Sequence, residues 1–304
     1  MTTRVGFIGL GHMGAPMCAR IVGAGFSVTA FDLAPAALAV AVLEGAQAAG
    51  SAAECAQAAD VLITMLPGPA QVEDVLLGSG GALAAMHRGS LAVDMSTSSP
   101  ALGRRIVDAA ASHGVAFVDA PVADALKARE GDLHIFAGGR AADVAVARPV
   151  LEAMGKPDRV VHVGPHGAGY TVKLLVNLQW FVHAAAAAEA LAVGTRAGID
   201  ADTLYTAFAA GPARSSFLEN EALEVLRDGE YGERFPLGLV TKDLGLALDL
   251  AHDSGVPAEL SAVTQGLYHQ ALDKYGSTAG EMAVVRLYED FAGTPLRLLH
   301  ANGH

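Results

Sequence analysis

The sequence is poor in cysteine, in charge and in unbroken apolar runs, and each shortage removes a class of protein. Two cysteines, Cys18 and Cys55, in 304 residues are too few for a disulfide framework and have no metal-ligand spacing. Only 17% of the residues are charged while 52% are hydrophobic, a globular composition and not a disordered one. Bases are the minority: 20 Lys and Arg face 32 Asp and Glu, for a formal net charge of −12. Binding nucleic acid calls for the opposite balance, because phosphates must be neutralised, so nucleic acid is excluded as a partner. No stretch reaches the roughly 20 uninterrupted apolar residues of a membrane helix. The most apolar one, 174–193, carries Asn177, Gln179, His183 and Glu189. The opening MTTRVGFIGLG meets glycines too early for a signal peptide. The expectation is a soluble, cytoplasmic protein with no membrane partner.

What is present is a change of pattern halfway along. The length is about twice that of a common domain. In the first half, short β-branched runs alternate with alanine-rich helical ones. The runs predict strands at Val5–Ile8, Ser27–Phe31, Val61–Met65, Ser90–Asp94, Ala116–Asp119, Leu133–Ala137 and Val160–His162. Several are apolar throughout, as in a largely parallel sheet covered on both faces. Helical segments such as Pro16–Ala24 and Pro35–Leu43 lie between them, and this rhythm predicts a doubly wound α/β domain over 1–163. Beyond Gly164 the strand pattern stops. Residues 168–197 read as one helix, apolar nearly all round, so protein should cover both its sides. Asp200 follows as an N-cap, and helices near 201–210, 215–227, 237–253, 258–274 and 279–291 make 164–304 an all-α domain.

Gly9-Leu10-Gly11-His12-Met13-Gly14 directly follows the first strand and precedes a helix with Pro16 near its start. Glycines permit the tight turn and let backbone N–H groups approach a pyrophosphate, with the helix N-terminus adding partial positive charge. The motif alone is weak; the strand–turn–helix context strengthens it. The second strand ends at Asp32, eighteen residues after Gly14. A carboxylate there suits the adenosine ribose hydroxyls and repels a 2′-phosphate, and Leu33-Ala34-Pro35 supplies no cation for one. NAD is therefore favoured over NADP, with capping of the next helix as the plainer role of Asp32. Met65, Leu66, Pro67 and Thr97 end two further strands at the same sheet edge, where turn chemistry would also explain Pro67 and Thr97.

Lys173 and Asn177 lie four apart, hence on one helical face, among Leu174, Leu175, Val176 and Leu178. Desolvation there would lower the lysine pKa towards a value useful in proton transfer. A lysine snorkelling to water from a helix end is the plain alternative.

Four ordered motifs together resemble the β-hydroxyacid dehydrogenases, the family of 3-hydroxyisobutyrate dehydrogenase and tartronate semialdehyde reductase. GFIGLGHMGAPM at 6–17 is similar to the family's opening signature and Asp119-Ala120-Pro121-Val122 to the start of its substrate motif. GAGYTVK at 167–173 with Asn177 resembles the catalytic motif, and KDLGLA at 242–247 a late helix. The resemblance spans essentially the whole chain. It implies an α/β Rossmann doubly wound sheet followed by an all-α, 6-phosphogluconate dehydrogenase-like domain, joined by a long interdomain helix. It further implies that Lys173 is the general acid/base and that Asn177 positions the substrate. The cofactor would lie on Gly9, Gly11, His12, Met13, Gly14, Asp32, Met65, Leu66, Pro67 and Thr97, with Lys242 reaching cofactor or substrate. Val122, Ala123 and Asp124 join Lys173 and Asn177 on the substrate. A homodimer or homotetramer is implied as well.

The chain departs from the family at one place. Where Ser-Gly-Gly usually follows Asp-Ala-Pro-Val, it has Ala123-Asp124-Ala125. The hydroxyl is lost, and Asp124 would repel a substrate carboxylate if it pointed inward. Lys127 or Arg129 is the candidate replacement anion contact, each also readable as a solvated surface charge. The expected activity is an NAD(H)-dependent hydride transfer between nicotinamide and a small, anionic alcohol/carbonyl pair. An imine reductase on the same fold is the nearest alternative, though such enzymes usually lack the lysine, and a non-catalytic NAD-binding scaffold is the other. His134, His166 and His183 share no metal-ligand spacing, and no metal is expected. Arg214, Ser215 and Ser216 precede a helix; capping by a serine is the simplest role there.

Overall fold

The computed structural model describes residues 3–124, 127–232 and 235–298. It divides into two compact units, with the break between Lys173 and Leu174.

The first unit is built on nine strands: β1 (Arg4–Ile8), β2 (Ser27–Phe31), β3 (Gln47–Ala48), β4 (Val61–Thr64), β5 (Leu91–Asp94), β6 (Ala116–Asp119), β7 (Val122–Ala123), β8 (His134–Gly138) and β9 (Val160–Gly164). They are ordered β3-β2-β1-β4-β5-β6-β8-β7, with β9 also on β8. The strands from β1 to β6 are parallel; β8 runs against β6 and β7 and along β9. Alternation along the strands separates two cores. Phe7, Ile63 and Val93 pack with Met17 and Ile21 of α1 (Gly14–Gly23), whereas Ile8, Leu62 and Ala92 pack with Leu102 and Ile106 of α6 (Pro100–His113). Both faces are thus covered, which is why β4 and β5 are buried at every residue and apolar without alternation up to their last residues, Thr64 and Asp94. Chain order reverses between β1 and β4, the switch point at which open α/β sheets bind ligands. There the register aligns Ile8 with Thr64, Thr64 with Asp94 and Asp94 with Asp119, so these strand ends form one edge.

The remaining helices of this unit are α2 (Pro35–Leu43), α3 (Ala52–Gln57), α4 (Pro69–Leu77), α5 (Ala82–Ala85) and α7 (Ala141–Leu151). Helix α1 begins two residues before Pro16, so the last glycine of the turn is already its first residue.

Helix α8 (Ala168–Arg196) has 29 residues, about 44 Å at 1.5 Å each, and continues from the first unit into the second. It is long and apolar enough to cross a membrane by length and composition alone, the one such helix among the described residues. The chain does not cover both its sides, since Leu175, Val176 and Val193 are exposed.

The second unit continues with α9 (Ala201–Ala210), a π-helical turn at Phe217–Glu221, α10 (Ala222–Asp228), α11 (Leu237–Asp253), α12 (Glu259–Tyr275) and α13 (Ala283–Ala292). Asp200 caps α9 as expected, accepting the Thr203 N–H at 2.8 Å. Ser215 likewise accepts the Leu218 N–H at 3.3 Å. The core of this unit centres on Phe181, Phe217, Leu244 and Tyr268.

Candidate active site

The three glycines of the turn after β1 do three different things. Gly9 has φ +97°, and a Cβ there would stand 2.2 Å from the Met65 carbonyl oxygen. A Cβ on Gly14 would stand 1.9 Å from the Gly9 carbonyl oxygen. Both are required by the turn itself. A Cβ on Gly11 would meet nothing within 4 Å. That open approach to the backbone, at the N-terminus of α1, fits a pyrophosphate. His12 beside it is exposed and Met13 half-buried against the core. At the end of β2, Asp32 holds the turn: Oδ2 accepts the Leu10 N–H at 2.6 Å and Oδ1 the Ala34 N–H, just before α2, at 2.7 Å.

Met65, Leu66 and Pro67 follow β4, and Thr97 comes three residues after the end of β5. The strand ends beneath them are tied by a buried network. Thr64 Oγ1 and Ser96 Oγ donate to Asp94 Oδ1 at 2.6 and 2.7 Å, and the Leu66 N–H donates to Ser96 Oγ at 2.8 Å. The Tyr170 hydroxyl reaches Asp94 Oδ2 at 2.6 Å. Burial raises the Asp94 pKa against the pull of these hydrogen bonds.

One strand further, Asp119 caps α8. It accepts the Gly167 N–H at 2.8 Å on Oδ1 and the Tyr170 N–H at 3.1 Å on Oδ2. The backbones close on each other here, because a Cβ on Gly169 would lie 2.3 Å from the Phe136 carbonyl oxygen. Burial pushes the Asp119 carboxyl up to about 7 despite the donated N–H groups. Between about pH 4 and 7 the native group therefore keeps a proton that the unfolded chain has released, so stability falls as pH rises. Measured as the difference from Asp119→Asn, the loss should total a few kcal/mol and level off above about 7. Parallel stability curves for the two proteins would contradict this.

Lys173 follows Tyr170 by three residues and is half-buried, next to fully buried Leu174. Within the second unit, Asn177 Nδ2 donates to Asp243 Oδ2 at 2.7 Å, and Lys242 Nζ lies 3.0 Å from Asp243 Oδ1. Asp243 is buried on α11 and organises both polar candidates of this unit. Residue typing placed Asp94 at the ligand edge of the sheet, and Tyr170 and Asp243 inside two of the motifs, but gave none of the three a role of its own. The available signal was an acid inside an apolar helical run for Asp243 and an acid ending an apolar strand for Asp94.

The departing loop has its own organisation. Val122 is buried and Ala123 half-buried in β7, paired with Ile135 and His134. Asp124 has φ +65°, unique among the described non-glycine residues. A left-handed backbone on a non-glycine residue costs about 1 kcal/mol. Its carboxylate lies 2.6 Å from His134 Nδ1 and 3.4 Å from Arg159. Lys127 approaches Asp132 at 3.9 Å, Arg129 is exposed, and Ala125 lies outside the described residues. His166 bonds the Phe117 carbonyl at 3.0 Å, and His183 lies 2.7 Å from Gln179. The buried thiols of Cys18 and Cys55 are pushed up to about 12. Among the described residues no group of His, Cys, Asp and Glu is arranged to hold a metal.

A glycine turn at the switch point of a parallel sheet, followed by a helical unit, defines a protein of the dinucleotide-binding class. The comparisons with known proteins narrow the class. Residues 4–164 match the NAD binding domain of 6-phosphogluconate dehydrogenase, and residues 167–288 match the NAD-binding domain of NADP-dependent 3-hydroxyisobutyrate dehydrogenase. The chain is 35% identical to 2-(hydroxymethyl)glutarate dehydrogenase of Eubacterium barkeri, over 95% of this chain and 96% of that one. It is 38% identical to 3-hydroxyisobutyrate dehydrogenase of Pseudomonas aeruginosa, over 88% and 91% of the two chains. A crystal structure of 3-hydroxyisobutyrate dehydrogenase from Salmonella typhimurium superposes with TM-score 0.83 at 34% identity, covering 94% of this chain and 99% of that one. An imine reductase from Pseudomonas sp. shares the fold, with TM-score 0.60 at 19% identity over 94% of this chain and 99% of that one. The chain belongs to the β-hydroxyacid dehydrogenase family and is an NAD(P)-dependent dehydrogenase of that family.

Proposed function

We propose that the protein reduces a small acidic semialdehyde to the corresponding β-hydroxy acid, and runs the reverse oxidation, with Lys173 as general acid/base. The observation that carries this reading is the placement of Lys173 in the α8 segment that Asp119 and Asp94 bond to the strand ends bearing Leu66 and Thr97. A nicotinamide dinucleotide held by these residues would supply or accept the hydride. Lys173 gives a proton to the carbonyl oxygen in reduction and takes the hydroxyl proton in oxidation. Asn177, its amide N–H held by Asp243, offers its carbonyl oxygen to the substrate hydroxyl.

Gly9, Gly11, His12, Met13, Gly14, Asp32, Met65, Leu66, Pro67, Thr97 and Lys242 are the cofactor residues in this reading. NAD is the preferred cofactor. Asp32 already spends one lone pair of each oxygen on backbone N–H groups, which leaves acceptors for ribose hydroxyls. Leu33 beside it is 90% exposed, and the stretch Leu33-Ala34-Pro35 carries no cation to receive a 2′-phosphate. An anionic substrate is compatible with Asp124 because His134 and Arg159 engage its charge. Arg129 is the candidate anion contact, with Val122 and Ala123 lining the substrate. The relatives are named for hydroxy acids, which supports the same class. The dinucleotide-binding and helical domains are assigned to 1–163 and 164–304. The exposed Leu175, Val176 and Val193 on α8 support a homodimer or homotetramer, in the cytoplasm.

The test is initial-rate NADH oxidation on acidic semialdehydes, neutral aldehydes and cyclic imines. Turnover concentrated on the acidic semialdehydes is expected. Activity confined to imines would overturn the reading.

A further inference from the structure

Tyr170 has a fully buried ring, packed where a Cβ on Gly103 would come within 3.0 Å of it. Its hydroxyl begins a continuous line of hydrogen bonds: Tyr170 to Asp94, Ser96 to the same carboxylate, and the Leu66 N–H to Ser96. Thr64 adds a further donor to Asp94. Thr64, Asp94, Ser96 and Tyr170 are all at most 1% exposed. In so dry a place the bonds polarise one another, and loss of one member is felt by the rest.

The two ends of the line give it a direction. One end is the backbone at Leu66, at the sheet edge assigned to the cofactor. The other is the first turn of α8, and Lys173 stands three residues past Tyr170, about 4.5 Å along the axis and roughly 60° around it. Helix formation does not require the hydroxyl. Asp119 already caps this turn through backbone N–H groups, and phenylalanine would fill the same space against Gly103. A cap close to the axis, however, resists rotation about that axis through a short lever only. A bond made at the tip of a tyrosine, far from the axis, resists it through a much longer one.

We propose that Tyr170, held by Asp94, is a positioning residue that fixes the rotation of α8 and so aims Lys173 at the carbonyl oxygen of the substrate. The inference rests on the reading of Lys173 as proton donor. It adds that the aim of the lysine is set by the strand ends that also shape the cofactor edge, so donor and cofactor are held in one frame.

The test is a double-variant cycle on the full-length enzyme with NADH and its best carbonyl substrate. Tyr170→Phe should lower kcat about tenfold, the scale of a small misplacement of a reacting group, with NADH affinity within about twofold of wild type. In a Lys173→Ala background it should cost nothing further, because there is no lysine left to aim. An equal loss in both backgrounds would mean that the hydroxyl acts only on stability and would overturn the proposal, as would full kcat in Tyr170→Phe. If Lys173→Ala alone keeps wild-type turnover, the lysine reading falls and the proposal with it, a failure visible in the single variant. Should Tyr170→Phe not fold, Tyr170→Met, which also removes the hydroxyl and leaves Asp94 to its other donors, takes its place with the same expected pattern.

Discussion

Lys173→Ala should lower kcat by about a thousandfold, within the range that a positioned acid/base contributes. NADH affinity should stay within about twofold of wild type, since the lysine acts on the substrate oxygen and not on the dinucleotide. The unfolding midpoint should move little, because the side chain is half-buried and the fully buried Leu174 beside it carries the packing. Lys173→Arg should fail to rescue turnover: a guanidinium holds its proton too tightly to give it to a carbonyl. Stopped-flow reduction at saturating NADH separates these effects, because it reads the chemical step apart from product release. A variant that keeps more than a tenth of the wild-type rate would remove Lys173 from the chemistry.

The glycine turn makes the second large prediction, a contrast between neighbours. Gly14→Ala puts a methyl group 1.9 Å from the Gly9 carbonyl oxygen, so the turn must open before any ligand arrives. It should lower the unfolding midpoint of the free protein and weaken NADH together, through overpacking that costs about 1–3 kcal/mol. Gly11→Ala adds its methyl to open space and should leave the free protein as stable as wild type. It should nonetheless weaken NADH about tenfold or more, about 1.4 kcal/mol, because the methyl stands where the pyrophosphate must approach. Thermal unfolding with and without NADH reads both terms. Unchanged NADH binding in Gly11→Ala would mean that the pyrophosphate lies elsewhere.

The contrast shows how far residues can be read before a structure exists. The G-x-G-x-x-G spacing locates the turn, but only geometry assigns its parts: Gly9 and Gly14 to the turn, Gly11 to the ligand. Strands β1, β4, β5 and β6 were legible because burial on both faces leaves a run of largely apolar residues, and β2 because Val28 and Ala30 alternate with less buried neighbours. β3 and β7 escaped notice because two residues each carry no period. The antiparallel direction of β8 is likewise invisible in composition. Asp200 could be read as a cap because its partner lies three residues on. Asn177 and Asp243 are 66 residues apart, and Tyr170 and Asp94 are 76 apart, so no local pattern announces either bond. Asp124 lies between these cases. Its type marked a departure in the substrate loop, while the turning of its charge to His134 and Arg159 depends on β7 pairing with β8.

The proposed reaction delivers a hydride to the carbonyl carbon of a small acid, with the proton supplied by the protein. Its most direct test uses NADH deuterated at C4 of the nicotinamide, in each stereochemical form, with the best acidic semialdehyde from the panel. Mass spectrometry of the product should show one deuterium on the new carbinol carbon from one form only. NADH oxidation that leaves no deuterium in the hydroxy acid with either form would contradict the account.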